Sequence, residues 1–243
     1  MNRAWIDGHA WWAPGTPGRP APAGLAPNER RRAPEGVLVA LHMAEAAVAM
    51  AAADAATLAS VFTSAHGDLA IVDALCRTLA EDPLLLSPTR FHHSVHNAAS
   101  GYWGIAAKSH APSTALAGYT ASAGAGLLEA VCQVLDEQRP VLLVGFDTEA
   151  VGPLASTNTS RGLAGFACVL SPCATASSRW SVDVTVSART VPPPPANPMA
   201  AFAPLAAALE GDVQAALSLP LDTGSLVLHL EPLPRTRATA AGA

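Results

Sequence analysis

The chain has 243 residues, with 14 Lys and Arg against 19 Asp and Glu, and so a formal charge of −5. Half of the residues are hydrophobic and only 14% are charged, which excludes charge-driven disorder over most of the length, and the acidic balance argues against a nucleic-acid partner. Aromatics are 5% while alanine makes up about a fifth, so the core must close through small side chains and closely approaching backbones.

Residues 4–12, with Trp5, Ile6, Trp11 and Trp12, have strand content and run into a Pro/Gly stretch at 13–27 that reads as a surface loop. Nothing in residues 1–7 has the basic-then-apolar order of a secretory signal. Arg30, Arg31 and Arg32, flanked by Glu29 and Glu35, read as a solvated face or as a docking patch for an acidic partner. From Pro34, apolar residues at helical spacing (Val37, Leu38, Leu41, Ala44, Val48) predict a buried helix. His42 and Glu45 interrupt this longest apolar run, which rules it out as a membrane span and makes the cytoplasm the expected location.

A second strand is predicted over 57–63, followed by a helix over 69–81 that Asp68 caps and Pro83 helps end. Residues 91–107 read as one helix, which would set His92 and His96 a turn apart, a spacing metals can use. No carboxylate or cysteine ligand stands close by, so imidazoles bonded to neighbours are the better reading and no metal is expected. Ser113–Tyr119 is predicted as a short strand, and the Gly/Ala/Ser run at 121–126 leads into an amphipathic helix that Arg139-Pro140 stops. Small residues at such a junction suit either tight packing or a ligand near the helix N-terminus.

The apolar run 141–146 predicts a strand buried on both faces. Further strands are expected at 162–170, 180–187 and 225–230, with a helix at 200–217 and a frayed end beyond Pro232. Strands alternating with helices indicate an α/β fold around a largely parallel sheet. The four cysteines, Cys76, Cys132, Cys168 and Cys173, are too scattered for a disulfide framework and read as buried, inert thiols. No phosphate-binding loop, dinucleotide fingerprint or G-x-S-x-G elbow occurs, so no cofactor is expected.

Four segments stand in an informative order: Ser94-Val95-His96-Asn97-Ala98 with Gly101-Tyr102; Pro112-Ser113-Thr114-Ala115 followed by Ser122 and the 124–130 helix; Val141 to Glu149; and Gly165 to Leu170. In this order they resemble the N-terminal half of a β-ketoacyl synthase, namely the helix before the nucleophile strand, that strand with the buried helix it feeds, and the two strands that follow. With Asn28 to Arg32 included, the set is similar to the short ketosynthase-like proteins of aryl-polyene and related pigment pathways. The resemblance implies a truncated thiolase-like, layered α/β fold, with residues 1–188 as the ketosynthase-like domain and 189–243 as an abbreviated segment packed on it.

Against that family, Thr120 stands where the acyl-carrying cysteine belongs when Ser122 is set on the serine of its Ala-Cys-x-Ser motif. A threonine hydroxyl is poorly acidic and needs an adjacent base to attack a thioester. The family's two C-terminal histidines also lack counterparts, since His229 is the only histidine beyond Arg179. The resemblance therefore implies a non-catalytic subunit of chain-length-factor type. It would pair with a cysteine-bearing ketosynthase through the strand from Ser113, with Leu116, Tyr119, Thr120, Ser122 and Phe146 near the interface or acyl tunnel. An acyl carrier protein would be met indirectly, through Arg30, Arg31 and Arg32. The alternative is an independent acyltransferase or thioester hydrolase using Thr120 or Ser122, with His96 or His93 as base.

Overall fold

The apolar run at 141–146 becomes, with Asp147, an interior strand of an eight-stranded sheet. A computed structural model describes residues 3–158, 160–194 and 196–234; the expected frayed end lies mostly outside them, as does Pro195 of the proline run. In chain order the strands are β1 (Arg3–Trp12), β2 (Ala59–Thr63), β3 (Ser113–Leu116), β4 (Val141–Asp147), β5 (Ala164–Ser171), β6 (Trp180–Ser187), β7 (Ala215–Leu221) and β8 (Gly224–Pro232). Their spatial order is β3-β2-β4-β5-β1-β6-β8-β7. The helices are α1 (Pro27–Arg32), α2 (Glu35–Ala51), α3 (Leu69–Glu81), α4 (Pro88–Ser94), α5 (Ala98–Ala106), α6 (Ser122–Glu137) and α7 (Ala203–Glu210).

Alternation along β4 builds two cores. Val141 and Leu143 face one side, with α6, α7 and Phe166, while Leu142, Val144 and Phe146 face the other, with α2 and α5. Leu142 and Leu143 are fully buried, each worth about 1.5–3 kcal/mol on transfer from water. The charge and imidazole inside α2 are accounted for by the chain that crosses them. Glu45 accepts from the Ala23 and Gly24 amides, both at 2.7 Å, and His42 meets Trp12 edge-on.

Several expectations need correction. The sheet is mixed: only β2–β3 and β2–β4 are parallel, because β5, β1, β6, β8 and β7 join it antiparallel. The segment read as one helix at 91–107 is two, broken where Val95 turns extended (φ −70°, ψ 140°) and the His96 side chain reaches the carbonyl of Ser64 at 3.0 Å. His92 and His96 therefore do not share a helix face. The 200–217 helix stops at Glu210, and 215–221 is instead the strand that pairs with β8 through a tight turn. Ser113–Leu116 ends before Tyr119, which begins a 3-10 turn. A short helix, α1, carries the three arginines in its last turn. Of the cysteines only Cys168 is buried; Cys76, Cys132 and Cys173 are exposed.

Candidate functional site

Parallel strands offer ligands and partners their carboxyl ends, where the loops leave the sheet. Here those ends are Thr63, Leu116 and Asp147, and the sequence brings four features to them: the loop 64–68, the turn 118–122, the start of α6 and the break between α4 and α5.

The turn is set by Ser122. Its hydroxyl donates to the Tyr119 carbonyl at 2.7 Å and accepts from the Gly118 amide at 2.9 Å, and the residue is fully buried. The clamp holds Tyr119 at φ 51°, a left-handed conformation that costs a bulky residue about 1–3 kcal/mol. Thr63 Oγ1 donates to the Ser122 carbonyl at 2.8 Å, tying the start of α6 to the end of β2. The Gly/Ala run is the first turns of α6, and its glycines are needed for contact. A Cβ at Gly124 would lie 2.3 Å from the Pro220 carbonyl oxygen, and one at Gly126 2.5 Å from the Thr63 methyl. Tight packing, rather than room for a ligand, is what the small residues provide.

Thr120 is half-buried within the turn, and Tyr119 is 51% exposed with its ring edge-on to His66, centroids 5.3 Å apart. Ser113 is exposed and Leu116 half-buried on β3. Phe146 is not brought to Thr120. The alternation of β4 turns it to the α2 side, where it packs against Gly36 and helps line, with His93, His96 and Asp68, a space of only about 10 Å3, room for one water at most. His93 is bonded to the Tyr102 hydroxyl at 2.8 Å; burial, with His92 beside it, holds its imidazole below the ordinary histidine value.

One residue that sequence reading passed over organises this end. Asp147 is fully buried and accepts from Ser64 Oγ at 2.7 Å, from the Ala65 amide at 3.0 and 3.2 Å and from the His66 amide at 3.2 Å. Burial pushes its carboxyl up to about 7, against the pull of those same donors. Its only sequence signal was an acidic residue closing an otherwise apolar strand. Asp68 caps α3, as expected, by accepting from the Ile71 amide at 3.1 Å.

The mixed α/β sheet, with its small-residue helix packed against the end of β2, belongs to the thiolase-like class of fold by its likeness to ketosynthases of known structure. The chain matches the family model for the β-ketoacyl synthase N-terminal domain over residues 3–208 and belongs to that family. It is similar in structure to a complex of the ketosynthase ApeO with its chain length factor ApeC from Xenorhabdus doucetiae (TM-score 0.70, 23% identity, 86% of this chain and 83% of that one). It is similar also to the ishigamide ketosynthase/chain length factor (TM-score 0.67, 15% identity, 95% and 99%). A third likeness is to AntDE:AntF, described as a type II polyketide synthase acyl-carrier protein in complex with its ketosynthase bound to the hexaketide (TM-score 0.75, 10% identity, 95% and 99%). No curated protein sequence matches.

Proposed function

We propose that this chain is a non-catalytic, chain-length-factor-like subunit that pairs in the cytoplasm with a cysteine-bearing β-ketoacyl synthase in polyketide or fatty-acid-like biosynthesis of the aryl-polyene type. The observation that carries the reading is the turn before α6. Thr120 occupies the place of the family's thiol, and the neighbouring hydroxyl of Ser122 is spent on two backbone bonds. A buried serine whose donor and acceptor are both engaged in holding a turn is poorly placed to attack a thioester.

The edge of the sheet supports a protein partner. β3 is an outermost strand, and an open strand edge is a template for pairing with another chain. The segment from α3 to α5, whose last helix packs beside β3, exposes Leu84 (93%), Leu85 (72%), Phe91 (58%) and Ile105 (73%), large apolar side chains available to a protein partner. Side chains at Tyr119 and Thr120 would then act sterically, bounding the space open to a growing acyl chain. Arg30, Arg31 and Arg32 form the cationic face that an acidic carrier protein would meet.

Co-expression with a cysteine-bearing ketosynthase is expected to give a stable heterodimer on size exclusion. Ala115→Arg on exposed β3 should abolish it while leaving this chain folded. Separate elution of the two wild-type proteins, with chain extension unchanged when this one is omitted, would overturn the reading.

A further inference from the structure

The loop 64–67 is held by a carboxylate that no proposed role yet uses. Asp147 lies at the end of β4, and its two oxygens take up the Ser64 hydroxyl and two successive amides. Ser64 Oγ in turn accepts from the Gly67 amide at 2.8 Å, closing the loop on itself, and Gly67 adopts φ 67°. The loop has one ring pointing out of it toward the site, that of His66, and this ring meets Tyr119. Tyr119 sits in the strained turn immediately before Thr120.

We infer that Asp147 is a positioning residue for the Tyr119–Thr120 turn: its buried carboxylate fixes the 64–67 loop, and the loop sets His66 against the Tyr119 ring. The chain of contacts runs from a carboxylate through three donors to one ring pair, so a change at Asp147 is transmitted to a side chain more than half exposed, next to Thr120. This does not depend on the partner reading, because every contact in it lies within this chain.

The surroundings make the carboxylate responsive to pH. No lysine or arginine pairs with it among the described residues; its hydrogen-bond partners are Ser64, Ala65 and His66 alone. Other titratable groups at the loop are His66 itself, its imidazole held below the ordinary value by burial; Asp68, which caps α3; His96, on the Ser64 carbonyl; His93, on Tyr102; and Tyr119. Without a cation to hold it ionised, the carboxyl takes a proton closer to neutrality than an exposed aspartate. Amides bonded to it then lose a charged acceptor, the stronger kind.

The test is an NMR titration of the isolated chain, following the Ala65 and His66 amides and the Tyr119 ring from pH 4 to pH 8, below the range in which a tyrosine phenol ionises. Wild type should show the amides and the ring moving with one shared midpoint, above the ordinary aspartate range. Asp147→Asn keeps the shape and removes the charge, so the amide movement should vanish and the ring should keep only the shift that protonation of the His66 imidazole gives it at lower pH. In His66→Gln the Ala65 amide should still titrate, while the Tyr119 ring no longer follows it. A Tyr119 ring that in Asp147→Asn still moves with the wild-type amide midpoint would overturn the inference, as would an Ala65 amide that does not titrate in wild type. Should Asp147→Asn fail to fold, the wild-type midpoints decide alone: shared midpoints support the chain of contacts and separate ones overturn it.

Discussion

Helices α2 and α6 lie on opposite faces of one sheet and are built on different principles. α2 is apolar almost all round, since the sheet covers one side and α5 with the N-terminal loop covers the other; it is a wall, and its side chains fill volume. α6 is amphipathic, and its first turns carry almost no side chain, so that its backbone touches β7 at Gly124 and β2 at Gly126. The first arrangement gains stability from mass of buried hydrocarbon. The second gives some of that up for position, placing the start of a helix against the end of a parallel strand.

Truncation and enlargement should therefore hurt the two helices in opposite ways. Leu41, fully buried in α2, should cost about 2–5 kcal/mol as Leu41→Ala, read as a lowered urea midpoint. Truncations on the α6 seat have little to remove, and there it is addition that damages: Gly124→Ala places a methyl 2.3 Å from a carbonyl oxygen and should cost about 1–3 kcal/mol. An unchanged midpoint for Gly124→Ala would mean that the α6–β7 contact yields freely, and the positional account of α6 would go with it.

A finer cut separates the seat of α6 from the turn that precedes it. Ser122→Ala removes one donor and one acceptor from a buried turn, leaving the Gly118 amide and Tyr119 carbonyl to find other partners, at about 1–3 kcal/mol. Hydrogen exchange at Gly118 should rise along with the loss of stability, and exchange in α2 should not. If Gly118 stays protected, the serine is not what holds Tyr119 in its left-handed conformation.

Local chemistry was legible in the sequence and long-range pairing was not. The limits of α3 could be read because Asp68 and Pro83 act within a turn of their own positions, and β4 because an apolar run between breakers has few alternatives. The helix expected over 200–217 holds only for 203–210; its second half misled because alanine-rich segments look helical by composition, while the strand at 215–221 is decided by a hairpin with β8. The break at Val95–Asn97 depends on a hydrogen bond from His96 to Ser64, and the role of Asp147 on amides some eighty residues earlier in the chain. Thr120 and Ser122 could be placed at the junction from their motif, yet only the fold showed that Ser122 is occupied with the backbone and that Phe146 lies beyond the sheet.

The smallest net effect is the pH dependence of stability, because two sets of groups oppose each other. Asp147 has its carboxyl raised from 3.8 to about 7 in the folded chain, so between those values the folded state holds a proton that the unfolded state has released. Stability from this group is greatest in acid and falls as pH rises to about 7, after which it is level. His9, His66 and His93 are each lowered, chiefly by burial. Their contribution runs the other way, being lost as pH falls below the ordinary histidine value of 6.5. Between pH 5 and pH 7 the two components of the wild-type profile therefore run in opposite directions, in ~0.1 M salt. Asp147→Asn deletes only the falling component, so in urea titrations its stability relative to wild type should climb steadily across that interval and then stop changing. A difference that is flat from pH 4 to pH 8 would show that the carboxylate is already ionised throughout, and that the three donors around it outweigh its burial.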